Sequence, residues 1–146
     1  MTALPSTFHR DLATGLRGER KLMAVLRQAG FECEHRDDYC PGYDLIASAK
    51  IEVKTDIRAK ITGNIFVETA HNGRPSGLTV TTATLWAFIV GNDILLIATG
   101  RLRELASEYP SRRFVLADGV KTGHLLPLET LREHVILLDY FEKEFK

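Results

Sequence analysis

The sequence predicts an α/β fold: a central mixed β-sheet containing an antiparallel hairpin, flanked by helices. Three observations favour it. They are an amphipathic helical stripe near the N-terminus, short apolar runs separated by turn residues, and two nearly continuous apolar runs joined by Gly91-Asn92. The chain has 146 residues, 45% hydrophobic and 26% charged, a composition typical of one globular domain. We therefore predict a single domain over residues 1–146.

Charge, cysteines and apolar runs bear on location and partners. The N-terminus lacks the layout of a signal peptide and no apolar run has the length of a membrane span, so we expect a cytoplasmic protein (host cytoplasm if phage-encoded) without membrane association. Cys33 and Cys40 are too few for a zinc site and are expected to be reduced, although a disulfide between them stays an alternative. The formal net charge is zero. Basic residues nevertheless concentrate at 10–27 and 101–121, which agrees either with a basic approach surface or with chance.

The first element is a helix predicted over residues 11–29 and ended by Gly30. Its apolar stripe comprises Leu12, Leu16, Leu22, Met23, Leu26 and Ala29. Glu19 follows the same stripe, so its carboxylate is expected to face the protein body. A carboxylate there is costly unless it is paired or bound to a cation. Glu19 therefore either pairs with Arg17, Arg20 or a neighbouring loop, or contributes to a cation site.

A strand is predicted over residues 31–36, followed by a β-hairpin over residues 41–54 whose two apolar runs join at 47–49. Side chains alternate along a strand, so Glu52 and Lys54 share one face. With a three-residue turn Asp44 would lie opposite Glu52, and such partners have Cβ atoms about 5 Å apart. With a two-residue turn, Asp44 would point to the other face.

Two carboxylates that close repel each other unless a cation lies between them, and a hard divalent ion such as Mg²⁺ suits oxygen ligands. Asp44 separated by seven intervening residues from Glu52-Val53-Lys54 resembles the signature of the PD-(D/E)XK nuclease superfamily, the restriction-endonuclease and Holliday-junction-resolvase group. The proline is displaced by two positions, in Pro41-Gly42-Tyr43-Asp44. The alternative is a half-buried hairpin with a polar outer face and no chemistry.

The resemblance implies a restriction-endonuclease-like core and a Mg²⁺-dependent DNA endonuclease in which Mn²⁺ can replace Mg²⁺. It implies that Asp44, Glu52 and the Val53 carbonyl bind the metal, with Glu19 contributing directly or through water. Lys54 would hold or activate the attacking water. The number of ions stays open. DNA is the expected partner, and symmetric cutting of two strands would favour a homodimer. Small size without an added recognition domain favours structure-selective, Holliday-junction-resolvase-like activity.

Further residues are candidates for contacts with nucleic acid. Residues 55–63 are predicted to form a polar loop that brings Arg58 and Lys60 to phosphates. The strand predicted over 64–68 ends at Glu68, which could support the acidic pocket. Residues 79–86 are predicted to begin with a short helix whose N-terminus attracts phosphate. The segment 75–86 also resembles a Ser-Gly, Thr-Thr, Trp segment of phage and bacterial members of this nuclease group. Its candidate contacts are Arg74, Ser76, Thr81 and Thr82.

The C-terminal half supplies the rest of the sheet. Strands over 85–90 and 93–98 form a buried hairpin, and a helix over 99–109 begins at Thr99 as its cap. A strand over 123–128, a helix over 129–134 and a strand over 135–140 follow. Two other classes of function compete with the nuclease. One is a nucleic-acid-binding module of the same fold that does not cut, and the other is a structural or partner-binding domain.

Overall fold

The structure, a computed structural model, describes residues 4–36 and 42–139, and the chain divides into two compact units, residues 1–49 and residues 50–146. The first unit contains helix α1 (Leu4–Gln28) and an antiparallel pair of strands, β1 (Glu32–His35) and β2 (Leu45–Ser48). The helix ends as predicted. Gly30 has φ 96°, and the Phe31 N–H donates to the Leu26 carbonyl, which satisfies a carbonyl of the last turn.

The stripe predicted for α1 is narrower than expected. Met23 is buried, and Leu16, Glu19 and Leu26 are partly buried. Leu12 and Leu22 were also expected on it, but they are 52% and 48% exposed. Glu19 thus lies on the covered side of the helix, as its spacing predicts.

The second unit contains two four-stranded sheets. The mixed sheet has the order β10-β7-β6-β3, in which only β3 and β6 run parallel. Its strands are β3 (Ile51–Thr55), β6 (Leu85–Val90), β7 (Asp93–Ala98) and β10 (Ile136–Asp139). The antiparallel sheet has the order β5-β4-β9-β8. Its strands are β4 (Asn64–His71), β5 (Arg74–Pro75), β8 (Ser111–Leu116) and β9 (Gly119–Pro127).

Short helices complete this unit, and one core joins its parts. The helices are α2 (Ala59–Thr62), a 3₁₀ helix (Gly77–Thr79), α3 (Thr99–Ser107) and α4 (Leu128–Arg132). The core contains Val67 and Leu126 from the antiparallel sheet, Phe88 and Leu95 from the mixed sheet, and Leu102 from α3. The predicted α/β class with a mixed sheet is confirmed, as is the antiparallel hairpin of β6 and β7.

The hairpin predicted over residues 41–54 is wrong, although both of its strands form. Strand β2 pairs with β1, whereas β3 pairs with β6 in the mixed sheet. A two-residue hairpin turn needs positive φ angles, usually at Gly, Asn or Asp. Ala49 and Lys50 are neither such residues nor at positive φ. The Lys50 carbonyl instead accepts from the N–H groups of Thr84 and Leu85, which ties the start of β3 to β6.

The helix predicted to begin at Thr79 is also wrong. The 3₁₀ helix ends there, and the chain continues without regular structure to β6. The Thr81 hydroxyl accepts from the Ala83 N–H, a local bond that competes with helix formation. Thr99 is not the cap of α3, because Ala98 occupies that position and the Thr99 hydroxyl donates to the Ala83 carbonyl at 2.7 Å. Strand β8 and helix α2 were not predicted.

Gly123 on β9 should tolerate no side chain. A Cβ there would overlap the Val67 carbonyl oxygen and lie 2.9 Å from Cε2 of Phe66. We expect Gly123→Ala to lower the free energy of unfolding by about 3 kcal/mol, as overpacking does. Gly100→Ala is the matched control, since a Cβ on that helical residue meets nothing within 4 Å and alanine favours a helix by up to about 1 kcal/mol. Urea denaturation compares the two, and equal stabilities would contradict the expected overlap.

Candidate active site

Two of the predicted acidic residues line one groove of the first unit. Glu19 on α1 and Asp44, just before β2, contribute to an open groove of about 510 Å³. Gly15 and Gly18 line it too and project no side chain into it. The other lining residues are Thr14, Leu22 and Leu45. The groove therefore offers carboxylate groups that a solvated hard cation could reach.

Glu19 is paired, but not with the arginines that the sequence suggested. Its carboxylate Oε2 lies 2.5 Å from Nε2 of His35 on β1, and the two side chains are 26% and 19% exposed. Sequence reasoning missed His35. The signal was available, because alternation along β1 places Cys33 and His35 on its less exposed face and leaves Glu32 and Glu34 exposed.

Asp44 is fixed through its backbone. Its carbonyl accepts from the Arg36 N–H at 3.0 Å, which extends the pairing of β1 and β2 by one step. The Arg36 guanidinium donates to the Tyr43 hydroxyl at 2.5 Å and lies 5.0 Å from the centre of its ring. The Asp44 side chain is exposed. Pro41 and Cys40 lie outside the described residues, and Cys33 is a free thiol.

Glu52 and Lys54 lie together in the second unit. As predicted, they occupy one face of β3, and Lys54 Nζ is 2.9 Å from Glu52 Oε1. Lys54 Nζ also lies 5.7 Å from the ring centre of Trp86, the residue beside Glu52 in the parallel register with β6. Both side chains are less than half exposed, Lys54 at 45% and Glu52 at 41%. An ammonium group is thus held next to a carboxylate at the edge of the mixed sheet.

The donor chemistry suits Mg²⁺, which prefers carboxylate, carbonyl and water oxygens. Glu19, Asp44 and Glu52 supply carboxylates, and Val53 on β3 supplies a backbone carbonyl. Within residues 4–36 and 42–139, however, no group of three or more His, Cys, Asp or Glu side chains is already arranged to hold a metal ion. Glu19 and Asp44 therefore offer oxygen donors in the first unit, and Glu52 and Val53 offer them in the second.

The loop residues predicted to contact nucleic acid differ in accessibility. Arg58 precedes α2 and is exposed, and Lys60 lies over Gly91. Arg74 is exposed on β5. The Ser76 hydroxyl, in contrast, is buried and has no hydrogen-bond partner among the described residues.

Three further predicted residues occupy different surroundings. The Thr81 hydroxyl already accepts the Ala83 N–H, and Thr82 is exposed in the segment before β6. Glu68 lies on β4 in the antiparallel sheet, opposite Gly123, whereas Glu52 belongs to the mixed sheet. Within residues 4–36 and 42–139, no strand pairing joins β4 to β3. The roles of these residues remain predictions.

No family model, curated protein or solved structure matches this chain. The resemblance to the nuclease superfamily therefore depends on the residues of the sequence. In the part of the chain that the structure describes, no helix has both the length and the apolar character needed to cross a membrane.

Proposed function

We propose that the protein is a Mg²⁺-dependent DNA endonuclease that hydrolyses phosphodiester bonds. The observation that supports it most is the shared groove of Glu19 and Asp44. These residues are separated by 24 intervening positions. Each of them is a candidate ligand from its own part of the sequence, independently of the other. Two carboxylates on one open groove are oxygen donors of the kind that Mg²⁺ prefers.

Each candidate residue has a distinct role in the proposed reaction. As the resemblance implies, Asp44, Glu52 and the Val53 carbonyl would hold the ion, and Glu19 would contribute directly or through water. A bound Mg²⁺ supplies charge neutralisation at the scissile phosphate and lowers the pKa of a coordinated water. Lys54 places a positive charge where the phosphate gains negative charge in the transition state. His35 holds the Glu19 carboxylate in one orientation through their 2.5 Å contact.

The Glu52 and Lys54 pair fits this division of roles. An ion pair that solvent reaches contributes little to folding stability, and the Trp86 ring near Lys54 Nζ helps to keep the ammonium group in place. Phosphate binding by an ammonium group also requires that it reach solvent, and Lys54 is 45% exposed. We further propose that the protein is selective for branched DNA, as Holliday-junction resolvases are, and that it acts as a homodimer.

Purified protein incubated with supercoiled plasmid, single-stranded DNA and a four-way junction tests the proposal. Each substrate is incubated with Mg²⁺, with Mn²⁺ and with EDTA. We expect cleavage with either metal ion and none with EDTA. Faster cleavage of the junction than of the plasmid would support structure selectivity. Binding without cleavage would favour a nucleic-acid-binding module instead, and neither binding nor cleavage would favour a structural or partner-binding domain.

A further inference from the structure

The antiparallel sheet of the second unit carries an aromatic pocket on the face opposite its core. Ile65, Val67 and Leu126 point into the core. Their neighbours point the other way because side chains alternate along a strand. Two of those neighbours, Phe66 and Leu125, line a pocket of about 410 Å³ together with Phe114 and Leu116 of the adjoining strand β8. Asp56, Arg58, Thr62 and Asn64 complete the lining.

We propose that this pocket binds an unpaired nucleobase of single-stranded nucleic acid. The inference deepens the proposed function and rests on it for the identity of the partner. It adds a second contact with the substrate, built from residues that the metal-dependent chemistry does not use.

The two phenylalanines provide surfaces for a planar ring. Phe66 and Phe114 meet at 85° with ring centres 5.3 Å apart, so their rings form a corner. A base can stack on one ring while the other bounds its edge. Gly123 lies beneath this corner, and the lack of a side chain there lets the Phe66 ring approach the sheet. Stacking on aromatic side chains is the usual way in which proteins hold unpaired bases without reading their sequence.

Polar groups at the rim suit the rest of a nucleotide. Arg58 is exposed, and Arg112 lies two residues before Phe114 on the same face of β8, so both guanidinium groups are placed to meet phosphates. Thr62 and Asn64 add hydroxyl and amide groups beside the apolar floor.

The carboxylates near the pocket do not oppose an anionic ligand strongly. Asp56 Oδ1 accepts the backbone N–H groups of Arg58 and Ala59, each at 2.9 Å, and so is engaged at the start of α2. Glu68 shares the outward face of β4 but does not line the pocket. An apolar floor with guanidinium groups at its rim matches a base carrying phosphates better than it matches an uncharged apolar peptide.

Fluorescence anisotropy with a labelled oligothymidylate of about 12 nucleotides, within the site sizes of single-strand binders, tests the inference. EDTA prevents cleavage during the measurement. We expect Phe114→Ala to weaken binding about tenfold, and Phe114→Leu to weaken it nearly as much because leucine keeps apolar bulk but has no ring. Val115→Ala is the matched control. Val115 is the next residue on β8, points to the opposite face and is 80% exposed, so this variant should bind as the wild type does.

Two further arms identify the ligand. Arg58→Ala should weaken binding and reduce the salt dependence by about one phosphate contact. Thymidine monophosphate should compete only weakly if the site serves a strand, and strongly if it serves a free nucleotide. Thermal melting of each variant separates loss of binding from loss of folding.

The result that overturns the inference is equal affinity of the wild type, Phe114→Ala and Phe114→Leu for the oligonucleotide. Binding of an apolar peptide in the aromatic pocket, without binding of the oligonucleotide, would overturn the inference as well. These outcomes are distinct from failure of the proposed function, because cleavage of supercoiled plasmid by the wild type with Mg²⁺ is measured separately from oligonucleotide binding in EDTA.

Discussion

Lys54→Ala is expected to lower the rate of DNA cleavage by at least about a hundredfold, the usual effect of removing one group that stabilises transition-state charge. DNA binding should change little, because the ammonium group acts mainly when the phosphate gains charge. Folding should persist as well, since the Lys54–Glu52 ion pair is exposed and such pairs contribute at most about 1 kcal/mol. Single-turnover cleavage of supercoiled plasmid with Mg²⁺ measures the rate.

Lys50→Ala is the matched control for this prediction. Lys50 is an exposed lysine four residues earlier, and only its backbone carbonyl takes part in the contacts with β6. Its removal should leave cleavage unchanged. If Lys54→Ala cuts as fast as the wild type, Lys54 has no role in the mechanism, whichever substrate is used.

Local patterns in the sequence predicted the elements whose structure depends on local interactions. The helical stripe placed Glu19 on the covered side of α1, and Gly30 ended that helix because glycine adopts positive φ easily. The two apolar runs at 85–90 and 93–98 formed the central hairpin around Gly91, which has φ 62°. In each case the interactions that determine the local structure act between residues close in the chain.

The sequence pattern could not predict which strands distant in the chain pair with each other. Ile51 and Val53 alternate with polar residues equally well whether β3 pairs with β2 or with β6, and the bonds from Thr84 and Leu85 to Lys50 decide in favour of β6. The consequence for the site is direct. The predicted position of Asp44 opposite Glu52 depended on the hairpin, so the evidence for a metal site is now the donors in each unit and the resemblance.

The sequence pattern also did not indicate His35 or Phe114, because each meets its partner through a contact between residues distant in the chain. His35 follows Glu19 by 16 positions, and Phe114 follows Phe66 by 48. Neither pair leaves a periodic signal. The aromatic pocket could not be foreseen because β8 itself was not predicted, and without that strand Phe114 had no assigned face.

Asp44→Asn and Glu52→Gln are each expected to lower cleavage about a thousandfold, and the double variant should be scarcely slower than either single variant. Residues that act as one unit show such non-additive losses, because the first substitution already removes what the second would remove. Each single variant should also bind Mn²⁺ more weakly than the wild type in isothermal titration calorimetry. Single-turnover rates with Mg²⁺ and with Mn²⁺ complete the cycle.

Glu34→Gln is the control for this cycle, since Glu34 is an exposed carboxylate on β1 and should matter to neither cleavage nor metal binding. The decisive quantity is the coupling between the two substitutions. If their effects multiply, Asp44 and Glu52 act independently and do not hold the same ion, whatever each contributes alone. If they fail to multiply while the double variant still folds, the two carboxylates serve one ion, as the resemblance to the nuclease superfamily implies and as the proposed hydrolysis requires.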